Sequence, residues 1–81
     1  MKYVLFTKES CPFCVKAIEL LETTGKTFHV INFEEDQQNA LEKIKQFCDW
    51  ATVPMIMQIK DGGQRNFIGG YTDLVTHLEE E

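Results

Sequence analysis

Between Tyr3 and Asn32 the hydrophobic period of the chain changes twice, and this switch restricts the fold more than any other feature. Tyr3-Val4-Leu5-Phe6 is a short apolar run of strand formers bounded by Thr7-Lys8-Glu9-Ser10, which predicts a strand buried on both faces and central in a sheet. Pro12 suits a first helical position, and Ala17, Ile18 and Leu21 recur on one helical face with Cys14 a turn earlier, until Gly25 ends the helix. Thr27-Phe28-His29-Val30-Ile31-Asn32 then returns to strand character. Strand, helix and strand in this order make a βαβ unit.

The remainder extends that unit. Over Gln37 to about Trp50, the residues Ala40, Leu41, Ile44, Phe47 and Cys48 recur at helical spacing, with Glu42, Lys43, Lys45 and Gln46 facing outward. Met55–Ile59 and Gln64–Ile68 flank Asp61-Gly62-Gly63, a turn that predicts a β-hairpin whose second strand, carrying Arg65 and Asn66, is a polar sheet edge. After Gly69-Gly70, a short helix begins near Thr72 and Asp73 and carries Leu74, Val75 and Leu78. The expected order is βαβαββα, an α/β fold with a mixed four-stranded sheet flanked by three helices.

At 81 residues the chain has material for one small domain spanning 1–81, and 43% hydrophobic residues suit a globular core. Thirteen acidic against eight basic side chains give a net charge of −5, which excludes general nucleic-acid binding because phosphate neutralisation needs a basic stripe. The acidic groups Glu34-Glu35-Asp36 and Glu79-Glu80-Glu81 are expected to be solvated surface and a fraying tail. No apolar run approaches the roughly 20 residues that span a bilayer, and Met1-Lys2 leads directly into strand-like sequence, so a cytoplasmic monomer is the expectation.

Cysteine usage narrows the chemistry. Three cysteines cannot all pair within the chain, and Cys11 and Cys14 are three residues apart at the start of the first helix. Sulfurs one turn apart can close a disulfide without backbone movement. Cys11, at the helix N-terminus, meets free backbone N–H groups and the positive dipole end, which favour a thiolate; Lys8 and Lys16 add positive charge and Glu9 opposes it. Cys14 lies inside the helix on its apolar side and should be the more buried, so Cys11 is the nucleophile and Cys14 the resolving thiol. A zinc site would need Cys48, His29 and His77 to complete the ligand set, and none of these forms a second close pair, so no metal is expected. A purely structural disulfide over so small a loop would remove little unfolded-state entropy.

With Cys11-Pro12-Phe13-Cys14 after a first strand, Thr52-Val53-Pro54 before the third and Gly69-Gly70-Tyr71-Thr72-Asp73 after the fourth, the chain resembles the glutaredoxins of the thioredoxin-fold superfamily over essentially its whole length. The resemblance implies a cis bond before Pro54, facing the cysteines, and a glutathione groove along Lys8, Phe13, Thr52, Val53, Pro54, Gly70, Thr72 and Asp73. In that arrangement Thr72 and Asp73 hold the γ-glutamyl end, Val53 pairs with the cysteinyl backbone, and Lys8 meets the glycine carboxylate. A basic or glutamine side chain of the second helix assists in some relatives, with Lys45 and Gln46 the candidates. Phe13 stands where dithiol members commonly carry tyrosine, and Tyr71 where many carry a cysteine or small residue.

The implied activity is glutathione-dependent reduction of protein disulfides and glutathione mixed disulfides, with glutathione as cosubstrate and with ribonucleotide reductase among the clients that such proteins serve. Two other readings are a thioredoxin-like redoxin reduced by a flavoprotein reductase, which Thr72 and Asp73 argue against, and a module bridging an iron–sulfur cluster, which Pro12 and Cys14 argue against.

Overall fold

The computed structural model describes residues 1–80, Glu35 by its backbone only. Glu81, at the end of the expected acidic tail, and the Glu35 side chain lie outside the described residues. The elements are β1 (Lys2–Lys8), α1 (Pro12–Thr23), β2 (Phe28–Phe33), a short 3₁₀ turn (Glu35–Gln37), α2 (Gln38–Cys48), β3 (Met55–Ile59), β4 (Arg65–Gly69) and α3 (Tyr71–Glu79). Apart from the added turn, this is the order expected from the sequence. The sheet runs β2-β1-β3-β4, with β1 parallel to β2 and antiparallel to β3, and β3 antiparallel to β4. It is the four-stranded mixed sheet that the resemblance implies.

Alternation along β1 separates two apolar clusters. Tyr3 and Leu5 point to one face, where they pack with Ala17 and Leu21 of α1, Ile56 of β3 and Leu74 of α3. Phe6 points to the other face and joins Phe33, Leu41, Met55, Ile44 and Phe67 under α2. Two helices therefore cover the first face and one covers the second. The first face of β1 is fully buried, while Val4 and Phe6 on the second are only partly covered.

The packing of α2 departs from expectation. Ala40 and Phe47 are exposed, Phe47 at 89%, whereas Lys45 is partly covered. At about 100° per residue, Leu41, Ile44 and Cys48 define the buried stripe, which Lys45 borders, while Ala40 and Phe47 fall roughly 100–120° from Leu41. A list of apolar positions at mixed three- and four-residue steps covers more of the helix than one seam can bury. The helix ends at Cys48, where Asp49 takes a left-handed conformation with φ 52°, rather than reaching Trp50.

Candidate active site

The site forms where β1 hands over to α1. Ser10, with φ 57°, reverses the chain at the end of β1, and Pro12 opens the helix, where its missing N–H would have no intrahelical acceptor in any case. Cys11 is left as the N-cap residue, with its sulfur accepting the Cys14 N–H at 3.2 Å. The two cysteines are disulfide-bonded, with Cα atoms 5.2 Å apart. Cys14 is 3% exposed and Cys11 is only half-buried, so an incoming thiolate reaches Cys11 more readily. The Cys14 N–H and the first-turn dipole are aimed at the Cys11 sulfur, an arrangement that would favour a thiolate there once the disulfide is reduced.

Opposite the disulfide, the Val53–Pro54 peptide bond is cis, as the resemblance implies, and the Val53 carbonyl oxygen lies 3.8 Å from Cys11 Sγ. A groove of about 360 Å³ runs from there between Thr52-Val53-Pro54, Gly70-Tyr71-Thr72-Asp73, Phe13 and Trp50. Its far end is shaped by glycine chemistry. Gly69 has φ +123°, and a Cβ on it would stand 2.5 Å from the Asp73 carboxylate, which accepts the Gly70 N–H at 3.0 Å. Asp73 thus caps α3 with one carboxylate oxygen while its exposed side chain borders the groove. Two rings, Phe13 and Tyr71, stand with centroids 6.1 Å apart at 36° on the groove wall, and Lys16 Nζ lies 5.1 Å from the Phe13 centroid.

Seven of the groove residues expected from sequence, Phe13, Thr52, Val53, Pro54, Gly70, Thr72 and Asp73, therefore line one depression. Lys8 does not. It lies on the other side of Cys11, bordering an open cavity of about 670 Å³ together with both cysteines, Val15, Ile18 and Val30, and a smaller hollow with Gln38. The second-helix candidates Lys45 and Gln46 line a hollow with Glu42, Asp49, Trp50 and Ala51 that shares Trp50 with the groove, while the side chain of α2 beside Lys8 is Gln38. A residue that sequence reasoning missed is Trp50. Its ring packs edge-on against Phe67 with centroids 5.5 Å apart, comes within 3.9 Å of a Cβ built on Gly70, and keeps its indole nitrogen buried without a described partner. The signal available was the only tryptophan of the chain, two residues before Thr52-Val53-Pro54.

Cys48, His29 and His77 do not converge on the pair. Cys48 is a free, half-buried thiol on α2, and among the described residues no group of three or more His, Cys, Asp or Glu gathers as a metal site.

The strand-to-helix cysteine pair and the cis-proline that faces it both fall within residues 3–62, which the glutaredoxin family model matches. The chain belongs to the glutaredoxin family. As a glutaredoxin, it is a thiol-disulfide oxidoreductase with Cys11 and Cys14 as its redox-active pair. Among solved structures, wheat glutaredoxin is 27% identical with a TM-score of 0.79, over 98% of this chain and 72% of that one. A buckwheat glutaredoxin–glutathione complex is 24% identical with a TM-score of 0.75, over 96% and 68%. Glutaredoxin 1 from Francisella tularensis, complexed with cacodylate, is 23% identical with a TM-score of 0.73, over 98% and 93%. Comparison with curated proteins returns no match.

Proposed function

We propose that this glutaredoxin draws its electrons from glutathione and reduces both glutathione mixed disulfides and protein disulfides. The observation that carries this reading is the position of the 360 Å³ groove, which passes the Val53 backbone and ends at Asp73 and the first turn of α3. Glutathione offers complementary groups: an α-carboxylate for the N–H groups of that turn, an α-ammonium for Asp73, and a cysteinyl amide for the Val53 peptide. The glycine carboxylate then extends past Cys11 toward Lys8, with Gln38 beside it. The glutathione in the buckwheat complex supports the same ligand class.

In the first route, the Cys11 thiolate attacks the glutathione sulfur of a mixed disulfide, the client leaves as a thiolate and takes up a proton, and glutathione remains on Cys11. A second glutathione thiolate attacks that glutathione sulfur, releasing oxidised glutathione and restoring the Cys11 thiolate. In the second route, Cys11 bonds to one sulfur of a client disulfide, and the Cys14 thiolate then attacks Cys11 Sγ, releasing the dithiol client and leaving the Cys11–Cys14 disulfide. Two glutathione molecules reduce it. Each step exchanges one S–S bond for another, with the overall two-electron reduction supplied by glutathione. Ribonucleotide reductase is one client for the second route, and a reducing compartment such as the cytoplasm would sustain the cycle.

The test is glutathione-coupled turnover of a small glutathione mixed disulfide and of a protein disulfide by the intact chain, Cys11→Ser and Cys14→Ser. Loss of both activities in Cys11→Ser, with loss of only the protein-disulfide activity in Cys14→Ser, is expected. A Cys14→Ser protein inactive on the mixed disulfide, or an intact chain turned over by a flavoprotein thioredoxin reductase and not by glutathione, would overturn the proposal.

A further inference from the structure

The face of the sheet under α2 is only half covered. Leu41 and the aromatic side chains around it close its end near the active site, but beyond them Val4, Met57 and Ile59 floor a second groove of about 420 Å³, lined by neither Cys11 nor Cys14 and with Cys48 in its wall. Phe47 and Lys43, neighbours one turn apart on α2, border it on one side, and Arg65 of β4 on the other. At 89% exposed, Phe47 is the most exposed large apolar side chain among the described residues, and an unburied phenylalanine forgoes about 1.5–3 kcal/mol of burial energy.

Charge identifies the occupant. Lys2 pairs in register with Ile59, and Ile59 with Arg65, so two cations and an apolar residue form a row across β1, β3 and β4 on this face. Among the described residues no acidic side chain lines the groove, and the ion pairs Met1–Asp61 and Lys45–Glu42 leave Lys2, Lys43 and Arg65 unpaired. In a chain of net charge −5, a local cationic rim around an apolar slot selects a partner of opposite pattern. We propose that this groove docks a segment of a partner protein in which a large apolar side chain, seated against Phe47, Met57 and Ile59, is flanked by carboxylates that meet Lys43, Arg65 and Lys2.

A second copy of the chain fits worse, because two-fold pairing would set each cationic rim against itself. An anionic bilayer fits worse because the slot is concave and the rest of the chain is acidic. The site is separate from the glutathione groove and stands whether or not the reductant is glutathione.

The test is a titration of the ¹⁵N-labelled full chain with an acetylated, amidated hexapeptide, Asp-Glu-Leu-Phe-Glu-Asp, followed by amide shifts. Saturable shifts at Val4, Phe47, Met57 and Arg65, abolished in Lys43→Glu/Arg65→Glu and about tenfold weaker in Phe47→Ala, are expected. Redox turnover should be unchanged in Phe47→Ala. The proposal is overturned by the absence of shifts up to about 1 mM peptide, or by equal shifts from a peptide with lysines in place of the acids. It is also overturned if phosphatidylserine vesicles sediment the chain while the peptide leaves it unshifted, or if the shifts at these residues instead follow self-association of the chain.

Discussion

On one side of Cys11 the path proposed for glutathione offers backbone groups and a short carboxylate between aromatic walls; on the other it offers long side chains. The Val53-to-Asp73 side is held by buried Pro54, by Gly69 packed against Asp73, and by the Asp73 bond to the Gly70 N–H. On the Lys8 side, an exposed lysine and a half-buried glutamine stand over open cavities. The larger cavity, about 670 Å³, is on the second side, so size alone would have chosen the less organised half. Preorganised donors and acceptors lose little entropy on binding, whereas a lysine must surrender rotamer freedom for a screened contact. The first side should therefore set affinity and specificity, and the second should only adjust them.

The largest effect should come from breaking the rigid side. Gly69→Ala places a Cβ against Asp73 in a backbone region that L-residues avoid, and is expected to lower unfolding free energy by about 1–3 kcal/mol and to raise the KM for glutathione, as measured by chemical denaturation and coupled turnover. Asp73→Asn separates cap from charge: asparagine can still accept the Gly70 N–H, so stability should hold while the KM for glutathione rises about tenfold. An equal loss of stability and affinity would make Asp73 a helix cap and nothing more.

Smaller effects belong to the flexible side. Lys8→Ala should raise the KM for glutathione by about two- to fivefold, and the difference from the intact chain should shrink as salt is added. At the distant hairpin, the N-terminal ammonium hydrogen-bonds Asp61 and, with its charge, holds this fully exposed carboxyl below its ordinary pKa of 3.8. A depressed folded-state pKa stabilises above the unfolded value and ceases to do so as pH falls through the lowered one. Asp61→Asn should accordingly leave the melting temperature near pH 7 unchanged within error, and any difference from the intact chain should vanish in strong acid.

The sequence made the frame legible because its elements are short and sharply punctuated. Pro12, Gly25, the Asp61-Gly62-Gly63 turn and Gly69-Gly70 mark the boundaries, and period-2 and helical patterns fill the spans between them. The cysteine pair was legible as well, since the N-cap position and apolar side of one helix decide which sulfur is accessible. What was not legible depended on how elements are set against one another. Phe47 has the spacing of a core residue, yet its exposure follows from which stripe of α2 meets the sheet. Gln38 rather than Lys45 or Gln46 lies beside Lys8, because the 3₁₀ turn brings the first turn of α2 to the end of β1. Trp50 follows the helix in a segment with no periodicity, so beyond its nearness to Thr52-Val53-Pro54 its place in the groove is set by tertiary structure.

The most direct test of the account is an amide-shift map of the Cys14→Ser protein carrying glutathione on Cys11, compared with the same protein reduced. Shifts concentrated at Thr52, Val53, Gly70, Thr72 and Asp73, with weaker ones at Lys8 and Gln38, are the predicted result. Shifts confined to Val15, Ile18 and Val30 around the larger cavity, or glutathione recovered on Cys48 instead of Cys11, would contradict it.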